Sequence, residues 1–386
     1  MARHLLVTND YPPKTGGIQV YLHELWRRLE SGRAVVLTAA SHPDATTFDA
    51  TSDVVIERVS TKTLFLPTFR ARRAIEDAIK RHEPDFVLLD PAWPLGLLGP
   101  TLSVPFGVVV HGSEVTVPAR IPVVASSLRF VLRRASVIVC AGTYPEAVVR
   151  RCAAEATPTV IQVPPGVDTT RFTPLDATLR DEVRSQLGLR RDAFLVSSYS
   201  RLVPRKGMDT LIRASVRLRD EFPQLQIAIG GAGRDLARLK KLATREKAPV
   251  TFLGRVPDET LPAWLGASDL MVMDCRSRWL GLEQEGFGIV FVEAAATGVA
   301  QIAGRSGGSH EAVVNGVTGL VVADSRSHQL LAKAIRALLV DNQRRSTYGA
   351  ASRQNAVEHF EWDHLAQRLS QELAPFDHFV APNRLP

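Results

Sequence analysis

Residues 4–38 read HLLVTNDYPPKTGGIQVYLHELWRRLESGRAVVLT. The opening run, 4–8, is apolar and strand-sized. Residues 18–30 then repeat their apolar positions at helical spacing, and AVVLT (34–38) returns to a strand pattern. This is the rhythm of a strand, a crossing helix and a second strand. It continues through FVLL (86–89), FGVVV (106–110), SVIVC (136–140) and PTVIQV (158–163). Strands so continuously apolar are buried on both faces, which predicts a parallel sheet covered by helices. At PPGVDTTRFTP (164–174) proline and turn formers interrupt the rhythm, and FLVSSYS (194–200) restarts it. LQIAIG (225–230), VTFLG (250–254), LMVM (270–273), VAQIAG (299–304) and GLVV (319–322) follow, each before a helix-compatible segment. The reading is α/β, two doubly wound domains, with ligands expected at the carboxyl ends of the strands. A last helical stretch is expected over roughly Arg344 to Leu373, and a loose tail from Pro375 to Pro386.

Composition narrows the function classes. A chain of 386 residues suits two domains, and 45% hydrophobic with 23% charged residues is the balance of a soluble globular protein. No apolar run approaches the roughly 18 to 20 residues of a membrane span, and the N-terminus leads straight into a short strand rather than a signal peptide. A cytoplasmic location is therefore expected. Cys140, Cys152 and Cys275 are odd in number and without a CxxC pair, which argues against a disulfide framework or a structural zinc. The net charge is +7, yet residues 1–168 hold 18 Lys/Arg against 16 Asp/Glu, a difference of only +2. Charge so mixed argues against nucleic acid. One local exception is Arg120, Arg129, Arg133, Arg134, Arg150 and Arg151, opposed by Glu146 alone. Such a face fits an anionic membrane surface or an anionic ligand, and equally an ordinary solvated helix.

Four stretches carry chemistry. In EQEGFGIVFVEAAATG (283–298), glycines precede a helix expected near Ile289, where free backbone N–H groups and the helix dipole favour a phosphate. Glu285 lies before that helix and Glu293 about one turn inside it. Taken alone, the two acids also fit a solvated loop and a capping residue. SRLVPRKG (200–207) places Arg201 and Lys206 beyond a strand end, two cations suited to neutralising a diphosphate without a metal. No D-x-D triplet and no cluster with metal-ligand spacing occurs. Gly16-Gly17 precedes the first helix and presents backbone donors, although a glycine pair is most often a tight turn. VVVHGSE (108–114) sets His111 and Glu114 just past a strand. IAIGGAGRD (227–235) lacks the third glycine of a dinucleotide fingerprint, so its glycines are expected to let a nucleotide lie near the backbone.

Gly16-Gly17, HGSE, SRLVPRKG and Glu285 with seven residues between it and Glu293 together resemble the retaining glycosyltransferases of family 4, of GT-B fold. More narrowly, LLVTNDYPPKTGGIQVYL, PPGVDTTRF, SRLVPRKGMDTL and EGFGIVFVEAAATGV resemble the actinobacterial phosphatidylinositol-mannoside mannosyltransferases that use GDP-mannose. The resemblance implies two Rossmann-like domains facing a central cleft: 1–168 for the acceptor and 169–361 for the nucleotide sugar, with a helix at about 362–376 packing back on the first. It implies that Arg201 and Lys206 bind the donor diphosphate and that Glu285 holds the hexose. Phe287, Gly288, Ile289 and Val290 would offer N–H groups to the phosphates, Glu293 would take the ribose hydroxyls, and the base would lie near Gly254, Arg255 and Val256. His111 would approach the sugar, Gly16 and Gly17 the phosphates, and Asp10 and Gln19 the acceptor. No metal or other cofactor is implied.

The expected activity is α-mannosyl transfer, with retention, from GDP-mannose to a phosphatidylinositol mannoside. The enzyme would sit peripherally on the inner membrane face through Arg129, Arg133 and Arg134. A UDP- or ADP-linked sugar with a soluble acceptor is the alternative. A sugar-nucleotide epimerase and a non-catalytic nucleotide-sugar binder stand further off.

Overall fold

The computed structural model describes residues 3–30, 32–61, 63–153, 158–189 and 192–376. The tail expected from Pro375 lies, beyond Phe376, outside the described residues. The chain divides into two compact units: residues up to Pro165 together with those from Trp362 onward, and Gly166–Glu361.

The first unit is a parallel sheet of seven strands: β1 (His4–Thr8), β2 (Ala34–Ala39), β3 (Val55–Val59), β4 (Phe86–Asp90), β5 (Phe106–Val110), β6 (Val137–Cys140) and β7 (Thr159–Gln162). Their order is β3-β2-β1-β4-β5-β6-β7. Every residue of β1, β4, β5 and β6 is buried, because helices cover both faces. Leu5, Val7, Leu37, Val87, Leu89, Val108 and Val110 share one core. The strand order turns back between β1 and β4, so their carboxyl ends open a crevice there. β3 carries no continuous apolar run. It is an edge strand, VIERV, whose Glu57 meets His82 at 2.9 Å and whose Arg58 meets Asp49 at 2.7 Å.

The second unit has six parallel strands: β8 (Phe194–Tyr199), β9 (Leu225–Gly230), β10 (Val250–Gly254), β11 (Leu270–Met273), β12 (Ala300–Gly304) and β13 (Gly319–Val322). They run in the order β10-β9-β8-β11-β12-β13. Here the switch point lies between β8 and β11, and both loops singled out in the sequence, 200–207 and 274–288, leave those two strands.

The helical stretch expected over roughly Arg344 to Leu373 is made of two helices, Asn342–His359 and Trp362–Leu373. The break at Phe360–Glu361 is fixed by tertiary bonds. The Val167 N–H donates to the Phe360 carbonyl at 2.7 Å, Thr169 N–H donates to the Glu361 carboxylate at 3.0 Å, and the Phe360 ring packs on Phe287. The helix Trp362–Leu373 lies against the helix Gly17–Trp26, with Asp363 on Arg28 at 2.7 Å and Trp362 beside Tyr21. Among the described residues, no helix is long and apolar enough to cross a membrane, and no group of three or more His, Cys, Asp or Glu is placed to hold a metal.

Candidate active site

In the second unit the chain leaves β8 and makes one tight turn, Pro204–Lys206, closed by Gly207 at φ 72°. A side chain at Gly207 would run into the Asp274 carbonyl, so only glycine closes this turn. The turn drives Lys206 inward until it is 7% exposed. Its Nζ lies 2.9 Å from the Glu285 carboxylate, and Arg205 bonds to the same oxygen. Burial alone would raise the Glu285 carboxyl, but Lys206 and then Arg205 outweigh it and hold the group below its ordinary range. The Glu285 backbone is fixed as well, its N–H on the Ser306 hydroxyl at 3.4 Å and its carbonyl accepting from Gly308 N–H at 3.0 Å. Two rigid cations with one shared counter-charge make a preorganised seat for a dianion.

Three residues on, Gly288 at φ 92° caps the helix Ile289–Ala296 without a capping side chain. The first N–H groups of that helix are open to a ligand, the arrangement that favours phosphate. Glu293 is the fifth residue of the helix. Burial pushes its carboxyl up to about 7, with Arg171 opposing and Asp258 adding to the rise, and no described residue hydrogen-bonds its carboxylate. A half-buried carboxylate without a partner among the described residues is suited to hydroxyl donors from outside.

Arg201 is exposed and makes no ion pair with a described residue; Arg255 likewise points to solvent. Gly254 adopts φ 70°, and Val256 packs with Tyr199 around Gly230. The glycines at 231 and 233 need correction. A Cβ at Gly231 would strike the Ser200 carbonyl, and one at Gly233 the Leu202 carbonyl, so these glycines let two loops of the protein meet rather than make room for a nucleotide.

The first unit gathers a separate polar group where β1, β4 and β5 end. Thr8 Oγ1 donates to Asp90 Oδ2 at 2.6 Å and accepts the Asp10 N–H at 2.9 Å. The other oxygen of Asp90 meets His111 Nε2 at 2.9 Å. Burial by itself would lower the His111 pKa, but Asp90, then Glu114 and Asp10, raise it. The Glu114 carboxylate accepts the backbone N–H groups of His111 and Gly112, and the Tyr21 ring meets the imidazole edge-on at 5.4 Å. Gln19 Nε2 donates to Asp10 Oδ1 at 2.8 Å, while burial and Asp90 raise the Asp10 carboxyl. Gly16 sits where a side chain would strike the Gln19 amide, and Gly17 opens the first helix with free space beside it.

Residues 180–355 match the family of glycosyl transferases group 1, and residues 15–171 match glycosyltransferase family 4. The GDP-mannose-dependent alpha-(1-6)-phosphatidylinositol monomannoside mannosyltransferase of Mycobacterium tuberculosis is 39% identical over 97% of this chain and 98% of its own. The corresponding monoacylated-substrate enzyme of Corynebacterium glutamicum is 36% identical over 96% and 97%. The chain is a family 4 glycosyltransferase. The crystal structure of Anabaena HepE with UDP superposes on it with a TM-score of 0.82 at 22% identity, over 97% of this chain and all of that one, which establishes the GT-B fold.

Two residues of these polar groups escape sequence reasoning. Arg205 stands in the same quoted segment as Arg201 and Lys206, but only the turn at Pro204 decides that it, rather than Arg201, reaches Glu285. Asp90 reads as the last residue of a buried strand. The signal that could have found it is an acid ending an otherwise apolar run, 2% exposed, beside a strand that also ends in a polar residue, Thr8.

Proposed function

We propose that this glycosyltransferase moves mannose from GDP-mannose to a phosphatidylinositol mannoside, with retention of configuration, on the inner face of a membrane. The observation that carries the reading is near-full-length similarity to enzymes named for that donor and acceptor class, in a chain that buries Lys206 and Arg205 against Glu285. The bond between the sugar's anomeric carbon and the diphosphate oxygen breaks, and its electron pair leaves with GDP. Arg201, Lys206 and Arg205, with the N–H groups of Phe287, Gly288, Ile289 and Val290, stabilise the departing charge and serve where a metal otherwise would. Glu285 holds the hexose, Glu293 the ribose hydroxyls, and the segment Gly254, Arg255 and Val256 the base. An acceptor hydroxyl attacks from the same face and gives its proton to the departing phosphate oxygen. His111 steadies the sugar, and Asp10 and Gln19 orient the acceptor.

Membrane contact is assigned to the helix Pro122–Leu132 and the residues around it. Arg129, Arg133 and Arg134 are exposed beside Ile121, Val123 and Phe130, with Val123 83% exposed and the Arg134 guanidinium 4.0 Å from the Phe130 ring centre. Cations among exposed apolar groups suit an anionic lipid surface. The first experiment is calorimetric titration with GDP, UDP and ADP in metal-free buffer, followed by transfer from GDP-mannose to phosphatidylinositol monomannoside. Preferential binding of GDP and formation of a dimannoside support the reading. Preference for UDP or ADP overturns the donor, and transfer without the lipid overturns the acceptor. Sedimentation with anionic vesicles at low salt, compared for the wild type and R129A/R133A/R134A, tests the membrane face.

A further inference from the structure

A second cationic recess lies in the second unit, where β11, β12 and β13 end. It is an open depression of about 260 Å³ lined by Arg276, Ser277, Arg305, Asp324, Ser325 and Arg326. The Arg276 guanidinium is locked by Asp209 at 2.8 and 3.0 Å and by Thr210 at 3.3 Å. Arg305 has no ion pair with a described residue. Arg326 reaches the Ser277 carbonyl at 3.5 Å, and its backbone N–H occupies one oxygen of the lone acid on the wall, Asp324, at 2.9 Å. Two exposed arginines without a carboxylate partner among the described residues thus line the same recess as a third that is held rigid.

The floor of the recess is closed. Ser325 is 5% exposed, and its enclosed hydroxyl faces the Asp274 carboxylate. Asp274 beneath it is 1% exposed. Its Oδ1 and the Ser325 Oγ border the same small space, each 2.5 Å from where a Cβ on Gly304 would stand. Burial pushes the Asp274 carboxyl up to about 7, against Ser325 and Arg276, so near neutrality much of it carries no charge to repel an anion.

We propose that this recess binds a phosphate group, held by Arg276, Arg305 and Arg326. Guanidinium groups present paired N–H donors that match phosphate oxygens. Nothing in the reaction above uses these side chains. The recess is nevertheless wired to the catalytic loop: Ser277 Oγ lies 3.3 Å from Ser306 Oγ, which in turn accepts the Glu285 N–H. Its occupant is either a free phosphate or the phosphate of an inositol lipid headgroup.

The test is calorimetric titration of the full chain, at saturating GDP, with inorganic phosphate and separately with inositol 1-phosphate. One saturable site is expected in the wild type and at least tenfold weaker binding in R305A/R326A, whose substituted side chains are exposed, with melting temperature and GDP binding unchanged. Inositol 1-phosphate binding tenfold tighter than phosphate identifies the headgroup as occupant; equal binding identifies free phosphate. Absence of saturable binding in the wild type, or equal binding by the double variant, overturns the site. Neither result depends on transfer activity, so failure here and failure of the mannosyltransferase reading are separable.

Discussion

Glu285→Gln removes the one counter-charge that Lys206 and Arg205 share. At 2.9 Å and an effective dielectric of about 20, the Lys206–Glu285 attraction alone is roughly 6 kcal/mol before desolvation is subtracted. Both cationic side chains are largely buried, 9% and 14% exposed, so removing the acid strands them. The expected net cost is about 3–5 kcal/mol, which for a domain of this size lowers the melting temperature by about 6–20 °C. Because the Glu285 carboxyl is held below its ordinary pKa, its stabilisation is present above the unfolded value and lost as pH falls through the folded one. The gap between wild type and variant should therefore close in acid. GDP brings a diphosphate to the same cations, so it should bind E285Q as well as or better than wild type and recover most of the lost stability, while transfer falls by about 100-fold or more. Thermal melts with and without GDP, across pH, and a transfer assay read all four effects. An E285Q protein that melts with the wild type at neutral pH, or that loses GDP binding, would refute the argument.

Asp274 predicts the opposite pH trend: its raised carboxyl binds a proton in the folded state that the unfolded chain releases, so stability declines as pH rises from about 4 to 7. At about 1.4 kcal/mol per unit this amounts to about 4 kcal/mol, and D274N should flatten the profile in chemical denaturation. Gly231→Ala meets the Ser200 carbonyl at φ 128°, and should cost about 2–5 kcal/mol through overpacking and backbone strain; an unchanged melting curve would exclude the contact. Asp90→Asn takes away the carboxylate that outweighs burial at His111, so the imidazole should titrate lower than in the wild type. Nuclear magnetic resonance of the ring decides this, and an unmoved titration contradicts the assignment.

Twelve of the thirteen described strands were legible because each carries a short apolar run, uninterrupted where both faces are buried as in β4, and kept even at sheet edges such as β10. β3 was not, since an edge strand such as VIERV places Glu57 and Arg58 in ion pairs and loses the pattern. Glu285 and Lys206 could be found from residue type and spacing, and the structure brings them to 2.9 Å. The partners they and His111 depend on could not. Whether Arg201 or Arg205 faces Glu285 is set by the turn at Pro204, and Asp90 meets His111 only because β4 and β5 lie side by side. The bonds that make the break at Phe360 have no local signal either, since they come from Val167 and Thr169, nearly two hundred residues away in sequence.

The two ends of the second unit are stitched together, Val167 to Phe360 and Glu361, while the last helix returns to the first unit. In covalent terms the second unit is an insertion with adjoining termini. On the ribosome it can finish folding first, whereas the first unit waits for Trp362–Leu373 to emerge before its opening helix is covered. Truncation before Trp362 should thus damage the half of the protein that was synthesised earliest, and residues 166–361 form a segment that can be excised or transplanted as a closed module.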